Sequence, residues 1–217
     1  MNIIKKLLDS KNFVGENTKK TAIVIHHTAG NYRPDLQINY WNGDKLGRVC
    51  THYVIGGLPT NGKDISFDGQ VYQAVEEKYC GFHLGIVGNG NRFDKQSIGI
   101  EICNYGGLVL SKDGKYYNYV HGIVPNDQVV DLGYVWRGYR YWHKYTENQL
   151  ISLEKLIKDI AIRNEISINS FQGCDYDSDL LKLPKISGLF VHSNFRKDKF
   201  DCPPQGDFVN MLKKLVY

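Results

Sequence analysis

Thr21-Ala22-Ile23-Val24-Ile25-His26-His27-Thr28-Ala29-Gly30 is the stretch whose reading decides the fold of this chain. An apolar run rich in β-branched residues reads as a buried strand, and two histidines close it where strand gives way to loop. A core strand holds the residues at its end rigidly, which suits binding and catalytic groups. Side chains alternate between the faces of a strand. His26 therefore points with Ala22 and Val24, and His27 with Ile23 and Ile25. One metal ion is not expected to take both.

Further strands follow outward from this one. Residues 51–56 (Thr-His-Tyr-Val-Ile-Gly) form a second, and Asp68-Gly69 is a turn signal before a third at 70–75, which suggests a hairpin. Residues 97–103 and 189–192 complete the set. Helices are expected at 35–42 and 208–217. The clearest lies at 146–164, where Thr146 and Gln149 make a capping-box pattern and Leu150, Leu153, Ile157, Ile160 and Ala161 recur at helical spacing. Strands mixed with helices in this order predict one α/β domain with a central mixed β-sheet flanked by helices. It is expected to span residues 21–217 behind a lead-in segment, 1–20. Residues 1–8 read as a short amphipathic helix, and their apolar part is too short for a secretory signal. Residues 105–145, rich in Gly and Tyr with weak periodicity, read as an elaborated loop region.

At 217 residues the chain can bury one substantial core. A hydrophobic fraction of 42% and a charged fraction of 23% are ordinary for a soluble globular protein, and no run approaches the length of a membrane span. The net charge of +4 favours an anionic partner such as a bacterial envelope but is too weak to argue for nucleic acid. Fifteen tyrosines suit an aromatic core or a surface that handles sugars and peptides. The five cysteines are odd in number and show no paired spacing, so they read as reduced, partly buried thiols of a cytoplasmic protein.

Three more segments carry chemistry. His83 lies between glycines in Gly81-Phe82-His83-Leu84-Gly85. In Ser97-Ile98-Gly99-Ile100-Glu101-Ile102-Cys103, the isoleucines share one face and Glu101 lies on the other with Ser97 and Gly99. A carboxylate inside an apolar strand is costly unless it is paired or faces a polar cavity. Phe190-Val191-His192 is again an apolar run ending in His, followed by Lys199, Asp201 and Cys202. Imidazoles with a thiolate or carboxylate suit catalytic zinc, which takes three protein ligands and keeps one position for water.

The joint order is more specific than any one segment. Strand-HHTAG, His-Tyr-Val-Ile, Asp-Gly-Gln-Val-Tyr-Gln, His-Leu-Gly, Ser-Ile-Gly-Ile-Glu, then Val-His-Ser and Asp-Cys-Pro follow one another along the chain. This resembles the zinc-dependent N-acetylmuramoyl-L-alanine amidases, the family of phage lysozyme-type amidases and peptidoglycan recognition proteins, over nearly the whole chain. The resemblance implies a Zn2+ cofactor held by His26, His192 and Cys202, with Asp201 the rival for the third place. It implies Glu101 as the proton-transferring carboxylate. A Lys two positions before the third ligand often stabilises the transition state; with Cys202 as ligand that position is Phe200, and Lys199 is one residue off register. His83, Thr51 and Asn104 are implied at the substrate cleft, Thr51 standing where several members carry Tyr.

The implied reaction is hydrolysis of the amide between N-acetylmuramic acid and L-alanine in peptidoglycan or muropeptides, most simply by a monomeric phage endolysin. Such an enzyme is made in the host cytoplasm without a signal peptide and reaches the wall after release. The alternatives are a cytoplasmic muropeptide-recycling amidase, an effector injected into rivals, and a non-catalytic peptidoglycan-binding module of the same fold.

Overall fold

A computed structural model of the chain describes residues 1–45, 48–88 and 90–216. Its first elements are β1 (Ile3–Lys5), β2 (Ala22–His27), α1 (Pro34–Gly43), β3 (Tyr53–Ile55), β4 (Val71–Gln73), α2 (Arg92–Gln96) and β5 (Ser97–Ile102). Five short strands follow: β6 (Gly107–Leu110), β7 (Tyr116–Tyr117), β8 (Ile123–Val124), β9 (Val129–Trp136) and β10 (Tyr139–His143). The chain then runs through α3 (Glu147–Asn164), β11 (Gly188–Val191) and α4 (Gly206–Lys214).

The main sheet has the order β1-β4-β3-β5-β2-β11. It is mixed: β2 pairs in parallel with β5 and β11, β3 in parallel with β5, and β3 antiparallel to β4. Strands β2 and β5 are buried at every position, as expected of central strands covered on both faces. Ile23 and Ile25 with Ile98, Ile100 and Ile102 pack against Leu153, Leu156, Ile157 and Ile160 of α3. On the opposite face, Ala22 and Val24 pack with Phe93 of α2, and Val54 with Ile38 and Trp41 of α1. Thr146 caps α3 through Gln149 in a capping box, as its spacing predicts.

Two expectations are corrected. Residues 1–8 contain no helix; Ile3–Lys5 lies parallel to β4, with Ile3 opposite Val71. An open sheet edge supplies main-chain partners that a local apolar pattern does not reveal. Residues 105–145 are no loop region, because β8-β7-β6-β10-β9 form a second, five-stranded sheet. Val109, Leu110, Ile123, Tyr134 and Val135 are exposed there, so little inside-outside alternation marks its strands. The C-terminal helix starts two residues earlier than expected and ends at Lys214; Tyr217 lies outside the described residues. All five cysteines are free and buried. Among the described residues no helix is long and apolar enough to cross a membrane.

Glu77 ties α3 to the sheet. Its carboxylate accepts from Tyr53 Oη at 2.7 Å, Arg163 Nη2 at 2.5 Å and Asn164 Nδ2 at 2.7 Å. Burial alone would raise its pKa, but the hydrogen bonds from Arg163, Tyr53 and Asn164 hold it below the ordinary glutamate value. A carboxylate with a depressed folded pKa stabilises above its unfolded pKa, about 4.3, and that contribution is lost as pH falls through the folded value. Glu77→Gln is expected to lower stability by about 1–3 kcal/mol at pH 7. Urea unfolding should show the gap between the two proteins closing below about pH 4.

Candidate functional site

The face of the main sheet that carries Ala22 and Val24 also carries His26, and the parallel register sets Glu101 of β5 directly beside it. β11 ends in a single 3-10 turn, His192–Asn194, which swings His192 toward the same point. An irregular return then brings in Asp201, anchored where Ser193 N donates to the Asp201 carbonyl at 2.9 Å. His26 Nδ1 lies 3.0 Å from His192 Nδ1 and 3.3 Å from Asp201 Oδ2, and His192 Nδ1 lies 3.0 Å from the same oxygen. All three side chains are buried.

Hydrogen bonding fixes which ring nitrogens carry protons. His192 Nε2 lies 3.1 Å from the Leu84 carbonyl, which can only accept, so Nε2 carries a proton and Nδ1 is the nitrogen turned toward His26 and Asp201. For His26 the argument runs through two partners. Ser97 Oγ donates to the Phe93 carbonyl at 2.6 Å, so it accepts from His83 Nε2 at 3.0 Å. His83 Nδ1 is then an acceptor and takes the proton of His26 Nε2 at 2.9 Å. In the neutral His26 ring, Nδ1 is then left as a lone pair. Burial, reinforced by the neighbouring His192, pushes the His26 pKa down to about 4, so its ring is neutral near pH 7. Asp201 is ionised there: burial alone would raise its pKa, but His192 and His26 hold it well below the carboxylate range.

Two imidazole Nδ1 atoms and a carboxylate oxygen therefore converge, a donor set that suits a cation. Among the described residues, His26, His192 and Asp201 are the group whose ligand atoms meet closely enough to hold a metal ion. Each histidine donates its other ring N–H to a fixed acceptor, the usual way a protein orients imidazole ligands.

Cys202, the residue expected in the third place, is directed elsewhere. It is fully buried in the core cluster with Trp142, Tyr145 and Phe208. Burial, with the Asp201 charge nearby, pushes its thiol pKa well above the ordinary value, so it remains protonated. The Asp201 carboxylate meets the two histidines, while the Cys202 thiol belongs to the core cluster.

An open pocket of about 250 Å³ covers the group, lined by His26, Thr51, His83, Glu101, His192, Lys199 and Asp201 among others. Burial, the charge of Asp201 and the opposing charge of Lys199 leave Glu101 with a pKa well above the ordinary glutamate value. Gly99 makes this floor possible, since a Cβ there would lie 3.0 Å from the His83 ring and 3.1 Å from Thr51 Cγ2. Thr51 Oγ1 is itself turned back, donating to the Tyr53 carbonyl at 2.9 Å. Asn104 lies away from this pocket. Its Nδ2 donates to the His143 carbonyl at 3.1 Å and its Oδ1 accepts from Gly106 N at 2.8 Å, which latches the second sheet to β5. His27 faces the other side of β2, with Nδ1 3.0 Å from Tyr145 Oη and its Nε2 without a hydrogen-bond partner among the described residues.

Two supporting residues received no role from the sequence. Ser97 shares the Glu101 face by strand alternation, a signal that was readable, yet its place beneath His83 depends on how a distant loop folds back. Asp94 accepts from the backbone N–H groups of His83 and Leu84 at 2.8 and 2.9 Å, and nothing local in the sequence marks that anchor.

The family model described as N-acetylmuramoyl-L-alanine amidase matches residues 16–203. Among solved structures the chain is similar to PlyL, with a TM-score of 0.57 and 16% identity over 100% of this chain and 98% of that one. It is also similar to a mutant endolysin from Bacillus subtilis, with a TM-score of 0.56 and 19% identity over 100% and 99%. The N-acetylmuramoyl-L-alanine amidase LysC from Clostridium intestinale URNW gives a TM-score of 0.52 and 17% identity, again over 100% and 99%. At these identities the structural likeness establishes the fold. No curated protein matches the chain.

Proposed function

Because the chain belongs to the N-acetylmuramoyl-L-alanine amidase family, we propose that it is a zinc-dependent endolysin-type amidase whose metal ligands are His26, His192 and Asp201. The observation that carries this reading is the convergence of two Nδ1 atoms and a carboxylate within 3.0–3.3 Å at the floor of the pocket that also holds Glu101. Nitrogen and oxygen donors in a set of three fit catalytic zinc, which leaves a position open. Zinc so held supplies Lewis-acid polarisation of the amide carbonyl and lowers the pKa of water to about 7.

The remaining work falls to the chain. Glu101, with its raised pKa, accepts a proton from the attacking water and returns it to the leaving amine of L-alanine. Lys199 lines the same pocket and supplies positive charge where the carbonyl oxygen becomes negative. With Asp201 as ligand, Lys199 stands two positions before it, which restores the register that Cys202 disturbs. His83 acts from behind His26 by fixing its tautomer, and Thr51 shapes the pocket wall. In this reading residues 21–217 are the catalytic domain and 1–20 its lead-in. The protein is made in a host cytoplasm and meets the wall after release.

Ser97→Ala removes the acceptor that orients His83 and so frees both histidine tautomers. Zinc affinity, measured by competition with a chromophoric chelator, is expected to fall about 10- to 100-fold, the range typical of lost outer partners. Unchanged affinity would mean that the relay does not set the ligand.

Mass spectrometry of purified peptidoglycan digested by the protein, with and without a zinc chelator, tests the function itself. Stem peptides with a free amino-terminal L-alanine, lost on chelation and restored by zinc, are expected. Folded, zinc-loaded protein that releases nothing would favour a binding module, and products cut at another bond would overturn the assigned scissile amide.

A further inference from the structure

Arg137 stands at the tip of the hairpin between β9 and β10, where Trp136 pairs with Tyr139 and leaves Arg137-Gly138 as a two-residue turn. Its φ is +50° and that of Gly138 is +90°. Turns with both central residues in this left-handed region favour Asn, Asp or Gly, because any larger side chain is crowded there. The half-buried arginine instead reaches across to the segment that runs from His192 to Asp201. Its Nη2 donates to the Ser193 carbonyl at 3.3 Å, and its Nη1 to the Arg196 carbonyl at 3.3 Å and to the Lys197 carbonyl. Resting on the amidase reading above, we propose that Arg137 is a positioning residue: by gathering these three carbonyls it fixes the path of the return, and so where Lys199 and Asp201 stand.

The return needs such a fixture. Residues 195–205 contain no strand or helix, so their backbone groups join no ladder. Carbonyls at the end of a helical turn also lack partners within the turn. A planar guanidinium carries five N–H donors in a rigid fork and can serve several carbonyls at once, which a single ammonium does less well. The fork is itself held in place. It lies 5.4 Å over the Trp136 ring, whose Nε1 donates to Asp175 Oδ1 at 3.0 Å. Asn194 Nδ2 in turn donates to the Gly173 and Asp175 carbonyls at 3.0 and 2.7 Å, which ties the turn after β11 to the same neighbour.

A second grip lies further along the return. Phe200 rests against Tyr139 and Trp142 of β10, at ring-centroid distances of 6.1 and 6.3 Å. The second sheet therefore holds the return on both sides of Lys199, through Arg137 before it and through these rings after it. Lys199 and Asp201 are left lining the pocket that Glu101 also lines. The strained tip residue thus links the second sheet to the metal group, although none of its atoms enters the pocket.

Arg137→Asn, made in the whole chain, separates this role from plain support of the hairpin. Asn is relaxed at this place in the turn, so the hairpin keeps its geometry while the three donations are lost. Hydrogen exchange should quicken at residues 193–201 and stay unchanged in the second sheet. Zinc affinity, read by competition with a chromophoric chelator, is expected to fall about 10-fold, the lower end of the range for lost outer partners. The visible absorption of the cobalt-substituted protein should change with it. In digestion of muropeptides kcat should fall about 10- to 100-fold with KM nearly constant, as a displacement of about 1 Å can cost about 100-fold. Arg137→Lys, which keeps the charge but not the fork, should fall between the two proteins. Arg140→Ala, which removes an exposed arginine of β10 paired with Asp131, should change none of these readings. Arg137→Asn with unaltered zinc affinity and cobalt spectrum would overturn the proposal. So would faster exchange throughout the second sheet, which would make Arg137 a support of the hairpin alone. Zinc binding that weakens as described in a protein that cleaves no amide would leave the positioning role standing and sink the amidase reading.

Discussion

Asp201→Ala is expected to lose zinc, while Cys202→Ala keeps it. Asp201 Oδ2 lies 3.0 Å and 3.3 Å from the two histidine nitrogens, and no other carboxylate or thiol among the described residues completes a close group with them. Losing an outer-shell partner already costs about 10–100-fold in affinity, so deleting a ligand should cost more than about 100-fold. The zinc content of dialysed protein and a chelator competition would read this directly. Cys202→Ala should instead cost stability of about 1 kcal/mol, as a small void opens beside Trp142 and Phe208. If Cys202→Ala released the metal and Asp201→Ala did not, the return segment would have to be turned over relative to the structure described.

Glu101→Gln is expected to retain zinc and lose turnover by about 10²–10⁴, the range typical of a positioned acid-base group. The substitution keeps the shape and removes only the ability to hold and pass a proton, so a fall in kcat with unchanged zinc content is its signature. The pH profile should agree in sign. Glu101 works first as a carboxylate, so activity rises as pH climbs through its pKa. Burial and the charge of Asp201 raise that pKa above the ordinary glutamate value of about 4.3 in the metal-free protein, and zinc held beside Asp201 would draw it back down. Lys199 opposes the shift, so Lys199→Met should move the acid limb of kcat/KM to higher pH as well as slowing the reaction. Full activity in Glu101→Gln would remove this residue from the mechanism.

The residues that could be assigned from sequence are those whose position follows from a strand. His26 ends β2, Glu101 lies inside β5 and His192 follows β11, and strand alternation alone assigns Glu101 to the face away from its isoleucines. The parallel register that sets His26 opposite Glu101 is tertiary. Asp201 and Cys202 could not be separated in this way, because they lie in an irregular return where no periodicity states which side chain faces inward. Asn104 sits just past β5 and resembled a cleft residue. Its amide is instead used to hold the second sheet, a role set by where the β10 carbonyls come to lie.

Sequence by itself determined the α/β class, the central strands and their buried faces, the capped helix α3 and the family. Each of these is written in periodicity, turn chemistry or ordered motifs that do not depend on distant contacts. Only the tertiary structure decided that Ile3–Lys5 extends the sheet, that residues 107–143 form a second one, and that its tyrosines line a pocket beside the histidines. It also decided that His83 and Ser97 stand behind His26 in a relay of defined direction. Those features rest on hydrogen bonds and contacts between segments far apart in the chain, where local pattern carries no information about the partner.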